Sequence, residues 1–316
     1  MSRTAFALLL TGLCSLALAA PEGGNVVAGQ AAISKPDALT TSILQSSQSA
    51  IINWKGFSID VNELVKFLQP NAGAVALNRV TGIDPSTILG ELLANGRVFL
   101  VNPNGILFGP HSKVDVGSLL ATTFDLKDSD FLAGKYEFLQ KPGAKPAFVV
   151  NQGQIKVAKN GAVFLVAPGV KNEGLIIAQL GTVALGSGGE FKVRLRDDGP
   201  ITYCVAGKVL ESVVGPDGKP LSASVGNTGT ITNPGGTVAL TGDAARGVVG
   251  QPGRRPRSQV VPHSGRQGNH DWAGRGDRPE QRADRRVGSR SGRGTRRGLP
   301  HRREGGQLRH HPRQGR

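Results

Sequence analysis

The stretch Gly96-Arg-Val-Phe-Leu-Val-Asn-Pro-Asn-Gly-Ile-Leu-Phe-Gly109 decides the fold. Two apolar runs, Val98-Phe99-Leu100-Val101 and Ile106-Leu107-Phe108, flank Asn102-Pro103-Asn104-Gly105. Asn-Gly between apolar runs is a strong hairpin signal. Yet neither run alternates apolar with polar residues, as a half-buried hairpin strand would. The chain therefore either doubles back here or turns a corner and continues.

Repeats elsewhere favour the corner. Asn151-Gln-Gly-Gln-Ile155 is followed by Gly161-Ala-Val-Phe-Leu165, Asn172-Glu-Gly-Leu-Ile176 by Gly181-Thr-Val-Ala-Leu185, and Asn227-Thr-Gly-Thr-Ile231 by Gly236-Thr-Val-Ala-Leu240. The first two copies start 21 residues apart and the third 55 residues after the second, which implies an insertion. A short strand, a turn and another short strand, returning after about 20 residues, is the signature of a solenoid. With β-rich copies and little helical periodicity, the expected architecture is all-β: a right-handed parallel β-helix whose coils stack at roughly 4.8 Å. Val, Leu, Ile and Ala would fill its narrow core, and Gly and Asn would take corners that need positive φ. The segment from Gly96 to Pro103 resembles that from Gly161 to Pro168, where the next unit starts soon after the proline. By this analogy Pro103 fixes φ, Gly105 permits a left-handed residue and Ile106 restarts a strand on the next side.

The insertion, residues 186–225, contains the alternating run Glu190-Phe-Lys-Val-Arg-Leu-Arg196 before Asp197-Asp198-Gly199-Pro200. It predicts an antiparallel hairpin beside the solenoid, with a further turn at Gly215-Pro-Asp-Gly218. Asp84-Pro85 reads as an N-cap and first helical residue, Ile88, Leu89, Leu92 and Leu93 as one apolar face, and Asn95-Gly96 as the stop; together they predict a helix. Residues 60–69 fit helix or strand.

Composition agrees with many short strands, since there are 45 Gly and only 5% aromatics. The net charge of +15 is unevenly placed. Residues 1–245 carry 19 Lys+Arg against 18 Asp+Glu, and residues 246–316 carry 19 Arg against 5 Asp+Glu, so +1 and +14 recover the total. Arg3, an apolar run over residues 5–18 and the small-x-small triplet Ala17-Leu18-Ala19 read as a secretory signal over residues 1–19. A domain over residues 20–245 follows, in which Cys204 is the one cysteine, expected to be buried. No later stretch is long and apolar enough for a membrane helix.

Residues 246–316 lack Lys, Ile, Phe, Tyr and Met, and should be disordered. Before that boundary Lys outnumbers Arg 14 to 5; after it Lys vanishes, in the middle of a repeat. Out-of-frame translation of a GC-rich gene gives such a break and is preferred here. A genuine basic tail, with nucleic acid as partner, is the alternative.

Three stretches carry a family resemblance: NWKGFSIDVNELVKFLQP, VALNRVTGIDPSTILGELLANGRVFLVNPNGILFG and VDVGSLLATTFDL. They resemble the N-terminal secretion (TPS) domain of filamentous haemagglutinin-type exoproteins, the passengers of bacterial two-partner secretion. Asn102-Pro103-Asn104-Gly105-Ile106 matches a hallmark of that family; a second, Asn-Pro-Asn-Leu, is replaced by Gln69-Pro70-Asn71-Ala72. The resemblance implies a β-helix with an N-terminal cap. It implies recognition by the POTRA domains of a TpsB-type outer-membrane transporter and folding outside, with delivery to the medium or the cell surface. Relatives are adhesins, haemagglutinins, cytolysins and toxins, which makes host glycans or receptors further candidate partners. For Asn102, Pro103, Asn104, Gly105 and Ile106 a recognition role and a purely architectural one are compatible.

Catalysis and a cofactor are not expected. β-Helix enzymes acting on polysaccharides need clustered carboxylates. Here Asp125, Asp128 and Asp130, and then Asp197-Asp198, lie beside turn signals and read as solvated loops, with no metal site. His111 has no Ser or Cys partner for a triad. Trp54 is expected to pack in the cap rather than to form a sugar platform.

Overall fold

A narrow solenoid must bury apolar side chains inward while every strand finds a neighbour above and below, and the strand pairing does both. The computed structural model describes residues 20–194, 202–209 and 211–242; the signal segment, the tail, and Asp197-Asp198-Gly199-Pro200 lie outside the described residues. Three sheets run along the axis, of eight, eight and five strands. The first face holds Thr40–Gln45, Leu64–Leu68, Glu91–Ala94, Lys113–Val116, Gln154–Val157, Leu175–Ile177 and Thr230–Thr232. The second holds Ser49–Trp54, Val75–Val80, Arg97–Val101, Ser118–Thr122, Ala162–Val166, Thr182–Ser187 and Thr237–Gly242. The third holds Ser86–Ile88, Ile106–Phe108, Phe148–Asn151, Gly169–Asn172 and Val225–Asn227.

These strands pair in parallel along the whole solenoid. Each of the five coils from Ser86 onward thus lays one strand on each face, and such parallel crossovers are right-handed in nearly all proteins. The fold is a right-handed parallel β-helix. Asn25–Ala28 and Ala31–Ser34 add antiparallel to Ser49–Trp54 and Thr40–Gln45 and form the N-terminal cap. Among the described residues no helix is long and apolar enough to cross a membrane.

The three repeats stack as neighbouring rungs. Asn151, Asn172 and Asn227 are in register, as are Ile155, Ile176 and Ile231, and Val163, Val183 and Val238. The Asn side chains form a ladder: Asn151 Nδ2 donates to Asn172 Oδ1 and Asn172 Nδ2 to Asn227 Oδ1, each at 2.7 Å. The carbonyls of Asn151 and Asn172 also accept amides of the next coil, as Asn151 O does from Glu173 N (2.7 Å) and Gly174 N (3.0 Å). Buried amides thereby satisfy their polar atoms, which burial otherwise penalises.

The repeat glycines serve a purpose other than the expected one. None of Gly153, Gly174, Gly229, Gly161, Gly181 and Gly236 has positive φ. A Cβ on Gly174 would meet the carbonyl oxygen of Gly153, and one on Gly229 that of Gly174. Backbone passes over backbone at these corners, leaving no room for a side chain.

Two excursions leave after the second face. Residues 123–147 carry the helix Asp128–Leu132 and the strand Tyr136–Leu139. Residues 188–224 carry Glu190–Arg194, antiparallel to Thr202–Ala206 as the sequence predicts. Tyr136–Leu139 adds antiparallel to Glu190–Arg194, so the two excursions share one three-stranded sheet. A further turn places Gly215 N on Lys219 O at 2.8 Å. The shared sheet and helix cover the outer side of the second face in a cluster that includes Phe99, Phe131, Phe138, Phe164 and Phe191. Val213 and Leu221 pack with Leu107 and Phe148 on the third. Val98 and Leu100 point into the solenoid and Phe99 and Val101 out beneath this cover. A strand buried on both sides does not alternate.

Two expectations need correction, and one open choice is settled. Residues 84–96 form no helix but the strands Ser86–Ile88 and Glu91–Ala94 around a corner at Gly90, where a Cβ would meet Asp60 O and Glu63 O. Coil stacking overrides the capping signals. Residues 60–69 resolve as the strand Leu64–Leu68. Cys204 is exposed, on the outer strand of the three-stranded sheet.

Candidate functional site

Arg97–Val101 lies on the second face and Ile106–Phe108 on the third, so the opening stretch turns a corner. Its side chains are taken up by the turn. Asn102 is fully buried; its Nδ2 donates to Asp84 O and Ser86 Oγ, both at 3.0 Å, and its Oδ1 accepts from Asn104 N at 2.9 Å. Asn104 Nδ2 donates to Gly82 O at 2.9 Å and to Asn102 Oδ1 at 3.1 Å. Pro103 is half-buried and sits where the turn asks for no amide donor. Gly105 has φ of 121°, a region only glycine visits freely, and its carbonyl accepts Ser86 N at 3.0 Å. Ile106 is buried in the core between Ser86 and Val149. The five predicted residues thus come together as one element, tied to the loop 81–85 of the preceding coil.

The altered string Gln69-Pro70-Asn71 builds a comparable corner between the first two faces. Gln69 Nε2 donates to Gln45 Oε1 at 3.0 Å and its Oε1 accepts Gly96 N at 3.0 Å. Asn71 and Gln48 exchange amide hydrogen bonds of 2.9 and 3.3 Å.

Asp125 and Asp128 do not stand in free loops. Arg79, projecting from the second face, meets Asp125 Oδ1 at 2.7 Å and Asp128 Oδ1 at 2.8 Å, and donates to Leu126 O at 2.8 Å. The Arg79 and Asp125 side chains are only 11% and 16% exposed. Burial opposes the Arg79 charge, but the two carboxylates outweigh it and hold the guanidinium pKa above its ordinary value. The sequence missed this tie because Arg79 and Asp125 lie 46 residues apart. His111 is exposed on a turn beside Gln152 and Glu173, in a shallow polar groove. Among the described residues no group of three His, Cys, Asp or Glu gathers as a metal site. Trp54 is buried against Phe57 and donates from Nε1 to Asn78 Oδ1 at 3.0 Å, next to the cap.

The described residues thus make a capped β-helix with two lateral excursions and an Asn-Pro-Asn-Gly corner. The family model of the TPS secretion domain matches residues 17–257, and the chain belongs to that family. It is thus the secretion domain of a two-partner-secretion exoprotein. Its sequence is 37% identical over 205 residues to a heme/hemopexin-binding protein of Haemophilus influenzae, covering 63% of this chain and 22% of that protein. A second such protein from Haemophilus influenzae is 42% identical over 121 residues, covering 38% of this chain and 13% of its own length. The chain therefore spans about a fifth or less of these curated relatives. The solved secretion domain of Haemophilus influenzae HMW1 superposes with a TM-score of 0.59 at 32% identity, covering 71% of this chain and 64% of that one.

Proposed function

We propose that this domain is the address read by the POTRA domains of a cognate TpsB-type outer-membrane transporter. The chain reaches the periplasm behind its signal segment, crosses the outer membrane unfolded and winds into coils outside. Membership of the TPS family over residues 17–257 carries this reading. The cap supports it: Asn25–Ala28 and Ala31–Ser34 are the outermost strands of their sheets, each with one edge open to strand addition. Solenoid physics supports it as well, because each coil rests on the one before and folding outside biases passage outward. The corner at residues 102–106 is both architectural and part of the address.

The protein acts without catalysis or cofactor, as a carrier module. What it carries is of adhesin or haemagglutinin type, delivered to the medium or the cell surface. Ligands such as those in the relatives' names, haem or hemopexin, would belong to the rest of the passenger. Host glycans or receptors are then partners of the exoprotein, and nucleic acid is not a partner.

Co-expression of the full chain with the transporter encoded beside it tests the proposal. Residues 20–245 should appear in the medium only when the transporter is present; retention in the periplasm in both cases refutes it.

A further inference from the structure

The loop 81–85 is held on both flanks. Thr81 N donates to Trp54 O at 2.8 Å and Gly82 N to Lys55 O at 3.1 Å, both in the coil before. From the coil after, Asn104 Nδ2 reaches Gly82 O at 2.9 Å and Asn102 Nδ2 reaches Asp84 O at 3.0 Å. The carbonyls on either side of Ile83 are thus gripped by the two asparagines of the corner. Ile83 itself is 86% exposed, well above any other exposed large apolar residue among those described. Single exposed apolar residues are common. This one stands out because the residues flanking it are pinned by four hydrogen bonds from two neighbouring coils.

We infer that Ile83 is the apolar contact through which the transporter's periplasmic domains read this module, and that Asn102 and Asn104 are positioning residues that aim it. A rigidly presented apolar side chain loses little freedom when it docks and gains the full benefit of leaving water. The exposed Asp84 beside it adds a carboxylate. The fitting partner surface is therefore a shallow apolar pocket with a basic or amide rim. The motif asparagines do not face that partner, since their amides are turned inward on the loop.

The inference rests on the transporter reading above, and the experiment separates the two. The full chain, as wild type and as Ile83→Ser, Ile83→Leu and Asn104→Ala, is co-expressed with the transporter, and each is tested for binding to the purified POTRA fragment. Ile83→Ser should weaken binding about tenfold or more and lower secretion, with the unfolding temperature unchanged, while Ile83→Leu keeps both functions. Asn104→Ala should lower binding and stability together. Wild-type secretion and binding by Ile83→Ser would overturn the inference and leave the transporter reading standing. Failure of the wild type itself to bind or leave the cell would overturn both.

Discussion

Asn104 shows how a motif residue can be spent on architecture. Replacing it with Ala removes its bonds to Gly82 O and Asn102 Oδ1 and should cost roughly 1–2 kcal/mol, seen as a Tm fall of several degrees. Gly174→Ala should cost about 3 kcal/mol or more, because the new methyl meets the backbone carbonyl of Gly153 and can be relieved only by parting two coils. Gly189→Ala is the control: the nearest atom to its Cβ, Gln140 Oε1, lies 4.0 Å away, and denaturant melts should find it close to neutral. The repeat glycines were legible in the sequence as a period. Their reason was not, because a carbonyl stacked 21 residues away leaves no local trace.

At the scale of elements, the parallel rungs were legible because Asn-x-Gly-x-Ile recurs in a fixed order, and every copy sits in register. The false helix at residues 84–96 shares its apolar spacing with two short strands around a corner. Gly90 was the one contrary sign, and Ile88 and Leu92 enter the core from different faces. The covering sheet was half visible: the hairpin strand Glu190–Arg194 alternates, but its third strand comes from residues 136–139, and no local pattern announces that pairing. This sheet has its own pH response. Tyr203 packs against Phe164 at 5.5 Å, and burial pushes its phenol pKa above the ordinary 10.0. The folded state then keeps a proton that the unfolded chain releases from about pH 10. Stability should be unaffected below that pH and fall as pH rises toward the folded pKa. Urea melts between pH 8 and 11 should show this, and Tyr203→Phe should reduce it.

Across the solenoid, among the described residues, cover is uneven from end to end. The cap closes the first coil with antiparallel strands. At the other end Ile231, Val238 and Leu240 point inward but are only partly buried. Amide exchange should therefore be slowest in Arg97–Val101 and Ala162–Val166, which are buried on both sides, and fastest in Thr230–Thr232 and Thr237–Gly242; equal rates at both places would contradict the uneven cover. The excursions, sharing a sheet across coils made far apart in sequence, impose a further order on assembly. Until Glu190–Arg194 folds, the coils before it can form while the strand Tyr136–Leu139 waits without a mate. Once Glu190–Arg194 pairs with that strand, unwinding the coils beneath means opening the aromatic cluster of Phe99, Phe138, Phe164 and Phe191. The side sheet is a pawl: it engages late, and it locks turns that were laid down long before it.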